Sequence, residues 1–312
     1  MDGHKTSYCY FDLDCKVIYS TSFFKDVPKA IQLAPKYVDL VSTLEKRPVI
    51  CTPIDANNEK DYLKNLIRAI EWSSDLAELR LDFLNEINDE SIYKIISKSK
   101  LPLIVTNRNK ENGGRFSAGE ELRLSLLSSA VMAKPAFVDI ELSTHGKDRS
   151  RIINLARENK VGIICSYHDF NKTPTPKEIY EIFRKISETT ADLAKLVFTP
   201  QNSRDFRTIL EANDSLRYED TAYTLFGMGK KGQHTRLISL LLGSCLTYCS
   251  LDDTKNGLYQ ISIEQMRSFF ERIEKHGWRS IREKRQDILT LTMAEFNNYN
   301  DHPLTSIEKL TA

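Results

Sequence analysis

Gly162-Ile163-Ile164-Cys165-Ser166-Tyr167-His168-Asp169-Phe170 decides how the rest of the chain reads. It predicts a short buried strand that releases a titratable His168 at its C-terminal end, where α/β proteins place their chemistry. A second apolar strand follows at Leu193-Ala194-Lys195-Leu196-Val197-Phe198, with a lone lysine inside it. Neighbouring parallel strands lie roughly 4.8 Å apart, so as neighbours these two would aim His168 and Lys195 into one pocket.

On either side of this pair an alternation of strand and helix runs from Arg47 to Gly277. Apolar runs predict strands at residues 48–53, 76–83, 101–106, 136–142, 161–167, 193–198, 221–226 and 245–250. Between them, Leu63, Leu66, Ile67 and Ile70 show helical spacing, and Leu122, Leu126 and Ala130 mark the inward face of another helix. Thr175-Pro176-Lys177-Glu178 is a capping box with proline at the first helical position. Met266, Phe269, Phe270 and Ile273 mark a last amphipathic helix stopped by Gly277. Eight strands alternating with eight helices over about 230 residues match a (β/α)8 TIM barrel. The rival, a doubly wound open sheet, lacks a Gly-x-Gly-x-x-Gly after any strand. The expected domains are an N-terminal extension (1–46) of unassigned role, the barrel (47–277) and a polar, partly helical C-terminal tail (278–312). In the extension, residues 8–19 read as a hairpin and residues 28–44 as weakly helical.

The 312 residues carry 44 Lys plus Arg against 43 Asp plus Glu, so bulk charge argues against nucleic acid or an anionic membrane as partner. The six cysteines include no Cys-x-x-Cys pair, and three of them sit in apolar strand-like runs, where they read as small buried hydrophobes in a reducing compartment. The N-terminus has no apolar run long enough for a signal peptide, and no stretch approaches a membrane span, so a soluble cytoplasmic protein is expected. No His/Cys/Asp/Glu cluster has metal-ligand spacing, and no cofactor is expected.

A barrel places functional side chains at strand C-terminal ends and in the loops that follow. Those places hold Glu78, Arg80 and Asp82, then Arg108 and Glu111, then Asp139 and Glu141, then His168 and Asp169, then Lys195, Arg236 and Gln260. Converging arginines imply a small anionic substrate, because guanidinium groups pair with carboxylate or phosphate. Lys195 either reaches solvent along its stem or is a nucleophile in an apolar pocket, where a neighbouring histidine would shuttle protons. Gly227-Met228-Gly229-Lys230-Lys231-Gly232 is either a phosphate-cradling loop or a mobile lid whose glycines allow tight turns.

These residues resemble the type I 3-dehydroquinate dehydratases, Schiff-base enzymes of the shikimate pathway. The likeness runs from about Arg47 to Gly277 and is carried by Glu78-Leu79-Arg80-Leu81-Asp82, Thr106-Asn107-Arg108 before Gly113-Gly114, and His168-Asp169-Phe170 before Thr173-Pro174. Lys195 with Pro200-Gln201, then Met228, Arg236 and Gln260-Ile261 complete it. The resemblance implies that Lys195 forms an imine with the substrate ketone and that His168 moves the proton. It implies that Arg236 and Gln260 hold the carboxylate, that Glu78, Arg80 and Arg108 serve the ring hydroxyls, and that Met228 covers the pocket. Where the family has a glutamate before Gly-Gly this chain has Asn112, so Glu111 is the expected carboxylate for His168. Thr254 is the expected match for the family's Ser or Thr in an eighth loop that is here two residues longer. A homodimer is a further expectation. Two other readings stay open: a class I aldolase-like barrel acting on a phosphorylated sugar, and a degenerate barrel serving as a binding module.

Overall fold

The computed structural model describes residues 35–251 and 259–284, the short strands Cys9–Phe11 and Val17–Tyr19, and residue 288. Its parallel strands are β1 (Val49–Ile54), β2 (Leu76–Arg80), β3 (Leu103–Thr106), β4 (Phe137–Glu141), β5 (Gly162–His168), β6 (Leu193–Phe198), β7 (Ala222–Gly227) and β8 (Leu246–Ser250). From β1 to β7 each pairs with its neighbour in chain order, and β8 returns to pair with β1. Between β7 and β8 the curled sheet closes by the Cys245 amide donating to Tyr223 O at 3.0 Å and Thr224 Oγ1 donating to Leu246 O at 2.6 Å. The result is the expected (β/α)8 barrel, with Ile261–Ser262 added alongside β8.

The surrounding helices are α1 (Glu59–Glu71), α2 (Asp89–Lys98), α3 (Glu120–Met132), α4 (Gly146–Glu158), α5 (Pro176–Ser187), α6 (Ser203–Leu216), α7 (Thr235–Leu242) and α8 (Ile263–His276). Their starts follow local chemistry: Asn58, Asn88, Thr175, Asn202 and Ser262 each accept an amide of the first turn. The expected capping box at Thr175 is present, with Glu178 reaching back to the Thr175 amide at 2.8 Å.

Two inward faces differ from expectation. Ile67 is 57% exposed, and Tyr62, Leu66 and Ala69 line the buried side of α1 instead. Leu122 is 48% exposed, while its neighbour Arg123 is fully buried. Apolar residues surround most of α3, so periodicity does not choose its inward face; the hydrogen bonds of Arg123 do. Residues 81–83, read as strand, form a 3-10 turn, because the Asp82 carboxylate gathers the amides of Arg108 and Arg115 and the guanidinium of Arg80.

Alternation along the strands sorts the barrel interior into layers. The lowest is apolar: Val49, Leu76, Ile104, Phe137, Ile164, Leu193, Ala222 and Leu246. Tyr37, Leu40 and Leu44 belong to the same cluster, so the short helix Val38–Lys46 packs beneath the barrel as a plug, with Tyr37 Oη donating to Lys134 O at 2.9 Å. Two residues further along each strand the interior turns polar, with Glu78, Thr106, Asp139, Ser166, Lys195 and Thr224 all buried. That polar layer is where the site begins. Cys51, Cys165, Cys245 and Cys249 are buried free thiols.

Candidate active site

Ser166 on β5 and Lys195 on β6 are paired in register, and so are Lys195 and Thr224 on β7. Alternation therefore turns Lys195 into the barrel, since Ala194 and Leu196 face the helices. Its Nζ donates to Asp139 Oδ2 at 3.2 Å and Glu78 Oε1 at 3.5 Å, and lies 4.1 Å from the ring centroid of Tyr248. Removing an ion from water costs several kcal/mol, so a lysine only 5% exposed persists here because two carboxylates offset that loss.

The carboxylates are held in turn. Thr106 Oγ1 donates to Glu78 Oε1 at 2.7 Å, Ser166 Oγ donates to Asp139 Oδ1 at 2.6 Å, and Arg108 Nη2 donates to Asp139 Oδ2 at 2.9 Å. Burial alone would raise the Asp139 carboxyl; the charges of Arg108 and Lys195, with the Ser166 hydroxyl, outweigh it and hold the group well below the usual carboxylate range. Arg108 is correspondingly raised against the effect of its own burial by Asp139, Glu141 and Glu78.

At the top of β5 the His168 ring lies nearly parallel to Phe170, at 12° and 6.0 Å between centroids. Its Nδ1 is buried and has no hydrogen-bond partner among the described residues. Burial, then the charges of Arg108 and Lys195, hold the imidazole well below its ordinary range, so it is neutral near pH 7 and able to accept a proton. Phe170 reaches this position because Gly113 has no side chain: a Cβ there would sit 2.3 Å from the Phe170 ring.

Arg236, on the first turn of α7, is a further cation of the pocket, beside Arg80, Arg108 and Lys195, and is 3% exposed. Its guanidinium lies 4.3 Å from the Phe226 ring centroid, while Nε and Nη1 are buried with no hydrogen-bond partner among the described residues. Burial without a carboxylate lowers it to about 10, with Cys249 and Tyr248 opposing only in part. Such a group is built to receive an anion. Pro53, Asp55, Glu78, Arg80, Arg108, Asn112, Gly113, His168, Lys195, Met228, Arg236, Tyr248 and Gln260 all line one open pocket.

A family model described as Type I 3-dehydroquinase matches residues 50–276. The chain belongs to the type I 3-dehydroquinase family. It is 35% identical to the 3-dehydroquinate dehydratase of Methanosarcina acetivorans over 216 residues, 66% of this chain and 88% of the relative. It is 30% identical to that of Bacillus subtilis, over 76% of this chain and 96% of the relative. Among solved structures it resembles a type I 3-dehydroquinate dehydratase from Clostridium difficile with covalent modified comenic acid, at 30% identity and a TM-score of 0.70, covering 74% of this chain and 94% of that one.

On this dehydroquinase barrel the residues expected from sequence separate into groups. Lys195, His168, Glu78, Arg80, Arg108, Arg236, Gln260 and Met228 meet at the pocket. Glu111 does not: it is exposed on the turn Lys110–Asn112. Asn112 takes the inward place, its amide group donating to Asn109 Oδ1 at 2.8 Å and Ser143 Oγ at 3.2 Å. The expected carboxylate partner of His168 is therefore corrected, because the turn's own hydrogen bonds aim position 111 outward. Thr254 lies outside the described residues. Arg80 is already paired through Nε and Nη2 to Asp82 at 2.9 and 2.7 Å. Asp169 is a turn residue, accepting the amides of Asn171 and Lys172.

The glycine-rich segment is tightly packed. A Cβ on Gly232 would sit 2.4 Å from Gly227 C, and the Gly227 amide donates to Thr235 Oγ1 at 2.7 Å. Those glycines serve close approach, and the Gly227 amide is not available to a phosphate. Sequence reasoning missed Asp55 and Tyr248 as pocket residues, although Tyr248 lies two positions after the inward Leu246 and its parity would have found it.

Proposed function

We propose that the chain is a 3-dehydroquinate dehydratase in which Lys195 forms an imine with the substrate ketone. What carries this reading is the pairing, in one pocket of a type I dehydroquinase barrel, of a buried lysine on two carboxylates with a neutral histidine whose Nδ1 has no hydrogen-bond partner among the described residues. Arg236, buried with no counter-ion among the described residues, supports a carboxylate-bearing substrate.

The step balances as follows. The Lys195 ammonium gives up one proton to a neighbouring base, and its nitrogen attacks the ketone carbon. The carbonyl oxygen leaves as water after taking up protons, so ammonium and ketone become an iminium and water with charge conserved. The iminium draws electrons from the adjacent C–H bond, and neutral His168 removes that proton to leave an enamine. The enamine electrons return as the β-hydroxyl departs, protonated by the His168 imidazolium, and hydrolysis of the new conjugated iminium releases 3-dehydroshikimate and restores the lysine.

In this reading Glu78 and Asp139 steady the cationic nitrogen, Gln260 joins Arg236 at the carboxylate, Arg108 orders the polar layer, and Met228 covers the pocket. Arg80 and Asp82 act as one rigid unit beside the ring hydroxyls. Thr254 is carried as a contact to the same carboxylate end. His168 works without Glu111 and is oriented by Phe170.

Borohydride reduction with 3-dehydroquinate tests this. A stable mass adduct located on Lys195, absent in Lys195→Ala, is expected. An adduct with a phosphorylated ketose and none with dehydroquinate would install the aldolase-like reading instead.

A further inference from the structure

Among the described residues, Arg123 heads the fully buried side chains by size. Its Nε and Nη2 donate to both oxygens of Glu120 at 2.7 and 2.8 Å, and Nη2 also donates to Thr144 Oγ1 at 2.9 Å. Nη1 donates to Glu141 Oε2 at 2.7 Å and to Asn107 O at 2.9 Å. The other Glu141 oxygen faces Arg108 Nη1 at 3.3 Å. Arg108 Nη2 reaches Asp139 Oδ2 at 2.9 Å, and that same oxygen holds Lys195 Nζ at 3.2 Å. Charge therefore alternates without a break from partly exposed Glu120 through Arg123, Glu141, Arg108 and Asp139 to Lys195.

Arg108 sits between the two carboxylates of this ladder: Nη2 donates to Asp139 Oδ2, while Nη1 donates to Ser166 Oγ at 2.8 Å and lies in ion-pair range of Glu141. Glu141 is nearly enclosed, at 1% exposure, so its demand for positive charge must be met locally. Arg123, at the shorter distance, meets most of that demand and leaves Arg108 for Asp139. Without it, Glu141 would draw Arg108 away, and Asp139 would face Lys195 as its nearest cation.

We propose that Arg123, acting through Glu141 and Arg108, is a positioning residue that sets how tightly Asp139 holds the Lys195 ammonium, and so how readily that amine is released to act as a nucleophile. The inference rests on the reading of Lys195 as the imine-forming residue. Lys195 is also faced by Glu78 from β2, Cys51 from β1 and Tyr248 from β8. His168 acts on Asp139, Arg80 on Arg108, and Cys165 on Glu141. Burial raises Cys51 and Tyr248 well above their ordinary values and Cys165 to about 12, so these three stay neutral and leave the carboxylates and cations to decide the balance.

Competitive labelling of the full chain with acetic anhydride across pH, read by mass spectrometry of the Lys195 peptide, tests this without substrate. Arg123→Gln is expected to move the labelling curve of Lys195 to higher pH by about one unit, the lower end of a close charge's effect. Glu141→Gln is expected to move it to lower pH by a similar amount, because Arg108 then serves Asp139 alone while Arg123 keeps its fork on Glu120. Arg123→Lys, which keeps a charge beside Glu141, is expected to restore the wild-type curve. Circular dichroism checks that each variant is folded, and Glu141→Gln carries the test if Arg123→Gln is not. Unmoved curves, or shifts in the same direction for Arg123→Gln and Glu141→Gln, overturn the proposal. Failure of wild type to form a borohydride adduct would reject the imine reading and leave the labelling result standing.

Discussion

The two walls of the pocket solve the burial of positive charge in opposite ways. On the wall from β2 to β6, Arg108 and Lys195 sit among Glu78, Asp139 and Glu141, and every charge has an opposite one within 3.5 Å. On the wall from β7 to β8, Arg236 lies against Phe226 with two nitrogens unpartnered among the described residues. The first wall is complete before substrate arrives and serves chemistry on a fixed framework. On the second, no negative charge pairs with the Arg236 guanidinium among the described residues, so an entering anion would meet an uncompensated cation.

Substitution of the nucleophile tests the neutralised wall most severely. Lys195→Ala is expected to lower kcat by about 10⁴-fold or more and to abolish borohydride trapping, while leaving the fold visible by circular dichroism. Next in size is His168→Ala, where loss of the proton shuttle is expected to cost about 10²–10⁴-fold in kcat with little change in KM, measured under saturating substrate.

The contrast itself is tested by truncating one arginine from each wall. Arg108→Met strands Asp139 and Glu141 and is expected to destabilise by about 3–5 kcal/mol in urea unfolding. Arg236→Met removes an unpaired buried charge and is expected to leave stability unchanged or raise it by about 1 kcal/mol while raising KM. Equal destabilisation by the two would show that the walls do not differ in the way described.

The response to acid is a smaller effect. The unfolded His168 binds a proton near pH 6.5, but the folded one resists it, so stability should fall as pH drops below about 6.5, by up to about 1.4 kcal/mol per pH unit. Asp139 acts in the same sense at lower pH: its depressed folded carboxyl contributes stability above about pH 4 and loses it as pH falls toward the folded value. Urea titrations at pH 7.5 and 5.5 on wild type and His168→Gln check the first, since the variant should lack the decline. Tyr248→Phe should change least. Its hydroxyl is buried without a partner among the described residues, so stability should stay within about 0.5 kcal/mol, read from thermal unfolding.

Legibility in the sequence tracked how local the determining physics was. Strand β6 was read at its observed ends, and the cap at Thr175 was read from four residues, because apolar runs and capping boxes are contained in short windows. Leu122 reads inward but is exposed, because α3 has apolar residues on most sides and takes its orientation from the partners of Arg123 on other elements. Ile67 is exposed because it lies at the edge of the apolar stripe of α1, whose buried centre is Tyr62, Leu66 and Ala69. Glu111 is the partner of His168 expected from the family resemblance, as the residue beside the position where the family has its glutamate, but the hydrogen bonds of Asn109 and Asn112 turn it toward solvent.

By itself the sequence determined the alternating barrel, the strand that carries His168, the lysine in the strand after it and the family these belong to. Those follow from periodicity and motif order, which a linear chain records directly. Only the tertiary structure decided which cation is neutralised and which is not, that Arg123 rather than Leu122 enters the core, and that Glu78, Asp139 and Tyr248 meet around one nitrogen. Such facts depend on distances between strands far apart in the chain, and charge acts through space without regard to sequence separation.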